Sequence, residues 1–338
     1  MIKNILVTGG AGYIGSHVNE ILVKNKKQVY IIDNLSTGHK KLINKKAKFF
    51  KLDILQTDKI KNILKKYRID SVIHLAAALS VGESQKKPSK YKKINVQGTQ
   101  NLLNAIKNTN VKNFIFSSTC AVYQDGKSFV TEKTRTKPTS VYGKTKLAGE
   151  KIIKTFCNRN RINYGILRFF NVAGASKSGK IGQINKGDQL FKNLSTEVMK
   201  KNPIFKIYGT DYKTNDGTCI RDYIHVSDIA NIHIEVLKKI DKANCSNLLN
   251  CGYGKGVSVL QAVKEFSKYA NKNLKTIYLP KRKGDMTKIT SNNLRLVKFI
   301  NWKPKYNKLS TIIKSCINWE RKLVKQQTLK SLQRKNKS

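Results

Sequence analysis

The chain has 338 residues, with 67 Lys or Arg against 20 Asp or Glu, for a formal net charge of +47 at pH 7. At 39% hydrophobic residues it is long enough to bury a sizeable core, as two domains or one large one. No apolar run approaches the roughly 18–20 residues of a membrane helix, and no basic-then-apolar leader precedes the first apolar run, so a cytoplasmic protein without membrane contact is expected. Cys120, Cys157, Cys219, Cys245, Cys251 and Cys316 show no paired spacing, and His17, His39, His74, His225 and His233 show no ligand spacing. That pattern reads as reduced thiols and no metal site. The lysines run along the whole chain, amid abundant Asn and Ile, and read as compositional drift at exposed positions. Attraction of anionic substrates or RNA is the alternative; no nucleic-acid partner is expected.

The first strand, around Ile2, Ile5 and Val7, leads into Thr8-Gly9-Gly10-Ala11-Gly12-Tyr13-Ile14-Gly15. Apolar residues then recur at Ile14, Val18, Ile21 and Leu22, which is helical spacing. Strand, glycine turn and helix N-terminus together place bare backbone N–H groups where a pyrophosphate binds, with Gly9, Gly12 and Gly15 shaping the approach. The next strand, 28–33, ends in Asp33, a ribose acceptor that would repel a 2′-phosphate and so favours NAD over NADP.

Strands at 48–52, 71–75, 113–117 and 164–169 alternate with helices near 57–67, 88–109 and 141–158. The expectation is an α/β fold, a Rossmann-type doubly wound parallel sheet carrying a smaller mixed α/β substrate-binding lobe. Asp53-Ile54 sits where the third strand ends, a place from which a carboxylate reaches an adenine amino group. The fourth strand runs through Leu75 into Ala76-Ala77-Ala78, small residues against which a flat cofactor can lie. The strand from Asn113 ends in Ser117-Ser118-Thr119, and past Pro138 follows Tyr142-Gly-Lys144-Thr-Lys146. On a helix, Tyr142 and Lys146 share one face. A neighbouring ammonium lowers a phenol's pKa from about 10, giving a general base, with Thr119 steering the sugar hydroxyl. A Tyr-x-x-x-Lys pair by itself is most often a solvated helix face; its place after a nucleotide loop and a hydroxyl cluster makes it the candidate active site. Beyond residue 175 the reading is helix at 187–202, strand at 204–208, helices at 227–240 and 257–270, a strand at 276–279, and fraying from Glu320 onward.

The separated motifs resemble the extended short-chain dehydrogenase/reductases, and among them the sugar-nucleotide 4-epimerases, over nearly the whole chain. They are the glycine loop, Val81-Gly-Glu-Ser84, Phe114–Thr119, Tyr142–Lys146, Phe169-Phe170-Asn171-Val-Ala-Gly-Ala175, and Tyr208 to Val226 with Asp216-Gly217 and Arg221-Asp222. The resemblance implies NAD as cofactor, a UDP-hexose substrate with UDP-galactose and UDP-glucose interconverted, N-acetylated pairs as a further option, and a homodimer. It implies Tyr142 as base, Lys146 as its partner and Thr119 as the hydroxyl residue. Cofactor contacts are implied at Tyr13, Ile14, Asp33, Asn34, Leu35, Ser36, Thr37, Gly38, Asp53, Ile54, Leu75, Ala76, Ala77, Ala78, Leu79 and Phe170. Substrate contacts are implied at Asn171, Gln189, Leu190, Lys206, Ile207, Tyr208, Arg221 and the stretch Arg282 to Asp285. Two arginine forks suit a diphosphate and Asp285 a ribose.

The implied domains are 1–175 for NAD, 176–330 for the UDP-sugar, and a frayed basic tail at 331–338, with later segments crossing back. Three positions depart from the family: Leu79 stands where a lysine is usual, Ile94-Asn95 replaces an Asn-Asn pair, and the residue bordering the hexose falls on Ile289. Two rivals are a 4,6-dehydratase, opposed by Cys120-Ala121 where an Asp-Glu pair is needed, and a non-catalytic binder of NAD or RNA, opposed by the retained Tyr142, Lys146, Arg221 and Arg282.

Overall fold

β-Branched runs alternating with amphipathic helices dictate a parallel sheet covered on both faces. The computed structural model describes residues 2–335 apart from 125, 127, 186, 283 and 284. Its first half comprises β1 (Asn4–Thr8), α1 (Tyr13–Lys24), β2 (Gln28–Asp33), β3 (Lys48–Lys51), α2 (Thr57–Lys66), β4 (Ser71–His74), α3 (Val81–Lys86), α4 (Pro88–Tyr91), α5 (Gly98–Ile106), β5 (Asn113–Thr119), β6 (Phe129–Val130), α6 (Val141–Arg159), β7 (Asn163–Phe169) and β8 (Asn171–Ala173). The second half adds α7 (Leu190–Glu197), β9 (Ile204–Tyr208), β10 (Ile220–His225), α8 (Val226–Ala243), β11 (Asn247–Cys251), β12 (Gly256–Ser258), α9 (Val259–Ala270), β13 (Lys275–Leu279), β14 (Lys288–Ser291), α10 (Leu294–Ile300) and α11 (Leu309–Lys335).

Seven strands form the large sheet in the order β11-β7-β5-β4-β1-β2-β3, every pair parallel. The order reverses between β1 and β4, so a crevice opens at their carboxyl ends, where Thr8 stands opposite both Ile32 and His74. Period-2 alternation sends Ile5 and Val7 to one face, packed with Val18, Leu22, Ile232 and Val236, and Leu6 to the other, packed with Ile60, Leu64, Leu102 and Ile153. Each such side chain, removed from water, contributes about 1.5–3 kcal/mol.

The smaller lobe sits at the same carboxyl edge. It holds strands ordered β12-β10-β14-β6, with β8 beside β10, and the pair β13-β9. Helices α7, α9 and α11 pack around Phe191, Leu194, Phe266, Ile313 and Ile317.

Three differences from the sequence reading have local causes. The strand β11, Asn-Leu-Leu-Asn-Cys, lacks β-branched residues, and pairing with β7 overrides its weak propensity. The expected helix at 88–109 is interrupted by a π-helical turn over Lys92–Gln97. The stretch after Glu320 is helical as far as Lys335, anchored by buried Trp319 and Leu323; residues 336–338 lie outside the described residues. All six cysteines are free thiols. Among the described residues no helix is long and apolar enough to cross a membrane, and no three His, Cys, Asp or Glu side chains are grouped to hold a metal.

Candidate active site

The crevice at the reversal of strand order opens into a cavity of roughly 310 Å³. Its floor is the glycine loop. Gly9 has φ +70, and a Cβ there would come within 2.7 Å of Ala76 N; a Cβ on Gly15 would collide with the Gly9 carbonyl oxygen. Both positions therefore demand bare backbone, the condition for close approach of a pyrophosphate to the α1 N-terminus. Asp33 closes the loop from the side. Its Oδ2 accepts from Ala11 N at 3.0 Å and its Oδ1 from Leu35 N at 2.8 Å, and burial raises its carboxyl above the usual range. Asn34 donates to Asp53 Oδ2 at 2.8 Å, tying the exits of β2 and β3 together. This cradle, with the small residues after β4, fits a dinucleotide.

Tyr142, Lys146 and Thr119 line that same cavity, with Tyr13, Ile14, Leu75, Ala77, Leu79, Phe170, Asn171, Gln189 and Leu190. Ser140 caps α6 by accepting from Gly143 N at 3.0 Å, which starts the helix at Val141, one residue before the tyrosine. The Lys146 ammonium is buried and lies over the Phe116 ring, 4.2 Å from its centroid.

The electrostatics differ from the expectation of a phenol made acidic by its neighbour. Burial pushes Tyr142 up to about 12, against a hydrogen bond from Thr119 that pulls it down. Burial also pushes Lys146 down to about 7, against the attraction of Glu150. A low-dielectric wall disfavours both charged forms, and the helical pair does not overcome that without a further positive charge in the cavity.

Other expected residues stand apart from the cavity wall. Ile54 and Ile207 are buried core residues. Lys206 and Tyr208 are exposed on β9, and the Arg282 guanidinium lies 4.9 Å from the Tyr208 ring centroid. Arg282 pairs with Asp285 at 2.9 Å, and Arg221 donates to the Ile220 carbonyl at 2.9 Å; Lys283 and Gly284, between the pair, lie outside the described residues. Ser36, Thr37, Gly38 and Ala78 belong to loops flanking the crevice. Ile289 is fully buried in a cluster with Phe170 and Cys120 and is not among the residues lining the cavity.

Several contributors were not assigned a role from sequence, although Asn95 was noted there as the retained half of an Asn-Asn pair. Glu150 continues the Tyr142–Lys146 stripe by one turn and takes two hydrogen bonds from Arg168, at 2.9 and 2.6 Å, and one from Ser118 at 2.5 Å. Its i+4 spacing from Lys146 was the available signal. Asn95, in the π-helical turn, accepts from Ala78 N at 2.8 Å and donates to Ala78 O and Thr145 Oγ1, both at 3.1 Å. Asp222 pins β10 by accepting from Tyr253 N, Gly254 N and Ser291, which fixes the strand presenting Arg221. Gln183, Lys192 and Tyr223 also line the cavity.

The chain is similar to a UDP-glucose 4-epimerase from Lactobacillus helveticus, with 39% identity over 94% of this chain and 97% of that protein. Among solved structures it is similar to the enzyme of that name from Stenotrophomonas maltophila with bound NAD and formylated UDP-arabinopyranose, at 31% identity and TM-score 0.91, covering 96% and 99% of the two chains. It is also similar to the UDP-Glc/GlcNAc 4-epimerase of Campylobacter jejuni, at 36% identity and TM-score 0.82, covering 95% and 99%. Residues 5–252 match the family as a whole, and the chain belongs to the NAD dependent epimerase/dehydratase family.

Proposed function

We propose that this protein is an NAD-dependent UDP-glucose 4-epimerase, interconverting UDP-galactose and UDP-glucose. The observation that carries the reading is that Tyr142, Lys146 and Thr119 share one cavity with the glycine loop and with Asn171, Gln189 and Leu190. When bound, NAD supplies the transient oxidation and re-reduction at the sugar C4. Tyr142, as phenolate, takes the proton of the C4 hydroxyl and returns it, while Thr119 orients that hydroxyl. Lys146, on the same helix face, supplies positive charge in its protonated form, which burial makes only marginal near neutral pH. Arg221, Arg282 and Asp285 grip the UDP, so that the sugar can be held loosely enough to present its other face.

UDP-GlcNAc and UDP-GalNAc form a second substrate pair to weigh, favoured by the likeness to the Campylobacter jejuni enzyme and by a cavity that continues past Asn171 to Ser195, Cys316 and Trp319. A homodimer working in the cytoplasm goes with this reading, supported by the family resemblance. The test is to assay both sugar pairs with purified protein and to denature it for released NAD. Turnover of neither pair, or turnover by protein that carries no NAD and needs none, overturns the reading.

A further inference from the structure

Beneath the turn that follows β4 lies a buried polar chain to which the proposed reaction gives no role. His74, the last residue of β4, is 1% exposed and packs beside the Phe114 and Phe116 rings. Its Nδ1 is 2.8 Å from Thr8 Oγ1 and its Nε2 is 3.1 Å from Thr99 Oγ1. The protons along this chain follow by elimination. A carbonyl only accepts, so the hydroxyl proton of Thr99 goes to Asn95 O, 2.7 Å away. Thr99 must then accept from His74 Nε2–H, which leaves Nδ1 bare. At the other end Ala76 N–H donates to Thr8 Oγ1 at 3.3 Å, and the Thr8 hydroxyl gives its own proton to Nδ1. One tautomer satisfies every group. A proton on Nδ1 would leave the Thr8 hydroxyl proton without an acceptor in a buried site, a cost of about 1–3 kcal/mol.

The two ends of the chain lie at the parts of the cavity that matter. Thr8 precedes Gly9, whose backbone abuts Ala76. Asn95 holds both polar backbone groups of Ala78 and donates to Thr145, the neighbour of Lys146 on α6. A histidine kept only as filler would not need a hydroxyl at each nitrogen, brought from β1 on one side and α5 on the other.

We propose that His74, as its Nε2–H tautomer, is a positioning residue that fixes the turn Ala76–Ala78 relative to helix α6. It acts through hydrogen bonds only and touches neither substrate nor cofactor. The proposal rests on the epimerase reading for its effect on turnover, but not for its tautomer.

Two measurements test it. In the holoenzyme, nitrogen-15 NMR of labelled imidazoles, assigned by the signal lost in His74→Gln, should show Nδ1 bare and Nε2 protonated, unchanged from about pH 8 to about pH 5. A cationic ring, or the proton on Nδ1, overturns the proposal. Thr99→Val keeps the volume and removes the hydroxyl, whereas Thr99→Ser keeps the hydroxyl. The valine variant should lose about tenfold in kcat with KM for UDP-galactose within about twofold, and the serine variant should recover most of that loss. Equal kcat in the two variants, or an effect confined to melting temperature, overturns it. Absence of turnover in the unsubstituted holoenzyme would instead sink the epimerase reading, and the tautomer would still decide the case of His74.

Discussion

Lys146 stands one turn beyond Tyr142 on α6, yet its ammonium lies over the Phe116 ring and the Tyr142 phenol is pushed up to about 12. The pair is thus protonated at the tyrosine until another positive charge enters the cavity. An oxidised nicotinamide ring carries such a charge and would favour the phenolate. Titrating the phenolate absorbance should therefore give a midpoint for Tyr142 near its raised value in NAD-free protein. Loading with NAD should lower it by at least about one unit, equivalent to about 1.4 kcal/mol. A Tyr142→Phe control identifies the signal, and a midpoint indifferent to NAD contradicts the proposed base.

Removing the phenolic oxygen isolates proton transfer from cofactor binding, because the cradle is built from backbone around Gly9 and Gly15 rather than from Tyr142. Tyr142→Phe should lower kcat for UDP-galactose by about 10²–10⁴-fold, the usual range for a positioned acid–base group. The NAD released on denaturation should stay the same as in the unsubstituted protein. A variant that turns over normally rules out Tyr142 as the base, and one that is empty of NAD assigns the residue to binding.

The site was legible in the sequence wherever chemistry and spacing coincide. Glycines at 9, 12 and 15, the strand-end Asp33 and the Tyr142–Lys146 pair each impose a local geometry, and all but Asp33 meet at the cavity. Legibility failed where the environment decides. The sign of the Tyr142 shift depends on burial, which no i, i+4 rule contains. The strand β11 depends on a partner more than eighty residues earlier in the chain. The burial of Ile289 beside Phe170 and Cys120 is likewise set by tertiary packing, and a single position in a sequence carries no such information.

Substrate grip should separate from chemistry at the arginines. Arg282 is held by Asp285 at 2.9 Å and stacked on Tyr208, so its fork is oriented before substrate arrives. Arg221 rides on β10, held in place by the buried Asp222. Charge-assisted hydrogen bonds to a diphosphate are worth about 1.5–3 kcal/mol each. Arg221→Ala and Arg282→Ala should each raise KM for UDP-galactose by roughly 10–100-fold, leaving kcat within a few-fold. Steady-state kinetics check this, with competitive inhibition by UDP weakening in parallel. A fall in kcat at unchanged KM would assign the arginines to the reacting end instead.

Acid should unfold the protein through its buried histidines. Burial pushes His17 and His233 down to about 4 and His74 and His225 to about 3, each from an ordinary 6.5. Because these folded-state values lie below the unfolded one, the unfolded chain binds more protons between about pH 6.5 and pH 4. Stability therefore rises with pH across that window and is lost as pH falls through it. Each histidine contributes on the order of 1–2 kcal/mol of that loss by about pH 5. The raised carboxyls of Asp33 and Asp222 act in the opposite direction, since protonating them favours the folded state on acidification, but two such groups stand against four histidines. The melting temperature followed by circular dichroism should hold near neutrality and drop steadily below about pH 6.5. A flat profile down to pH 5 would mean that these imidazoles gain protons in the folded state. For His74 that would break the tautomer argument as well, since a ring donating from both nitrogens leaves the Thr8 hydroxyl proton without an acceptor.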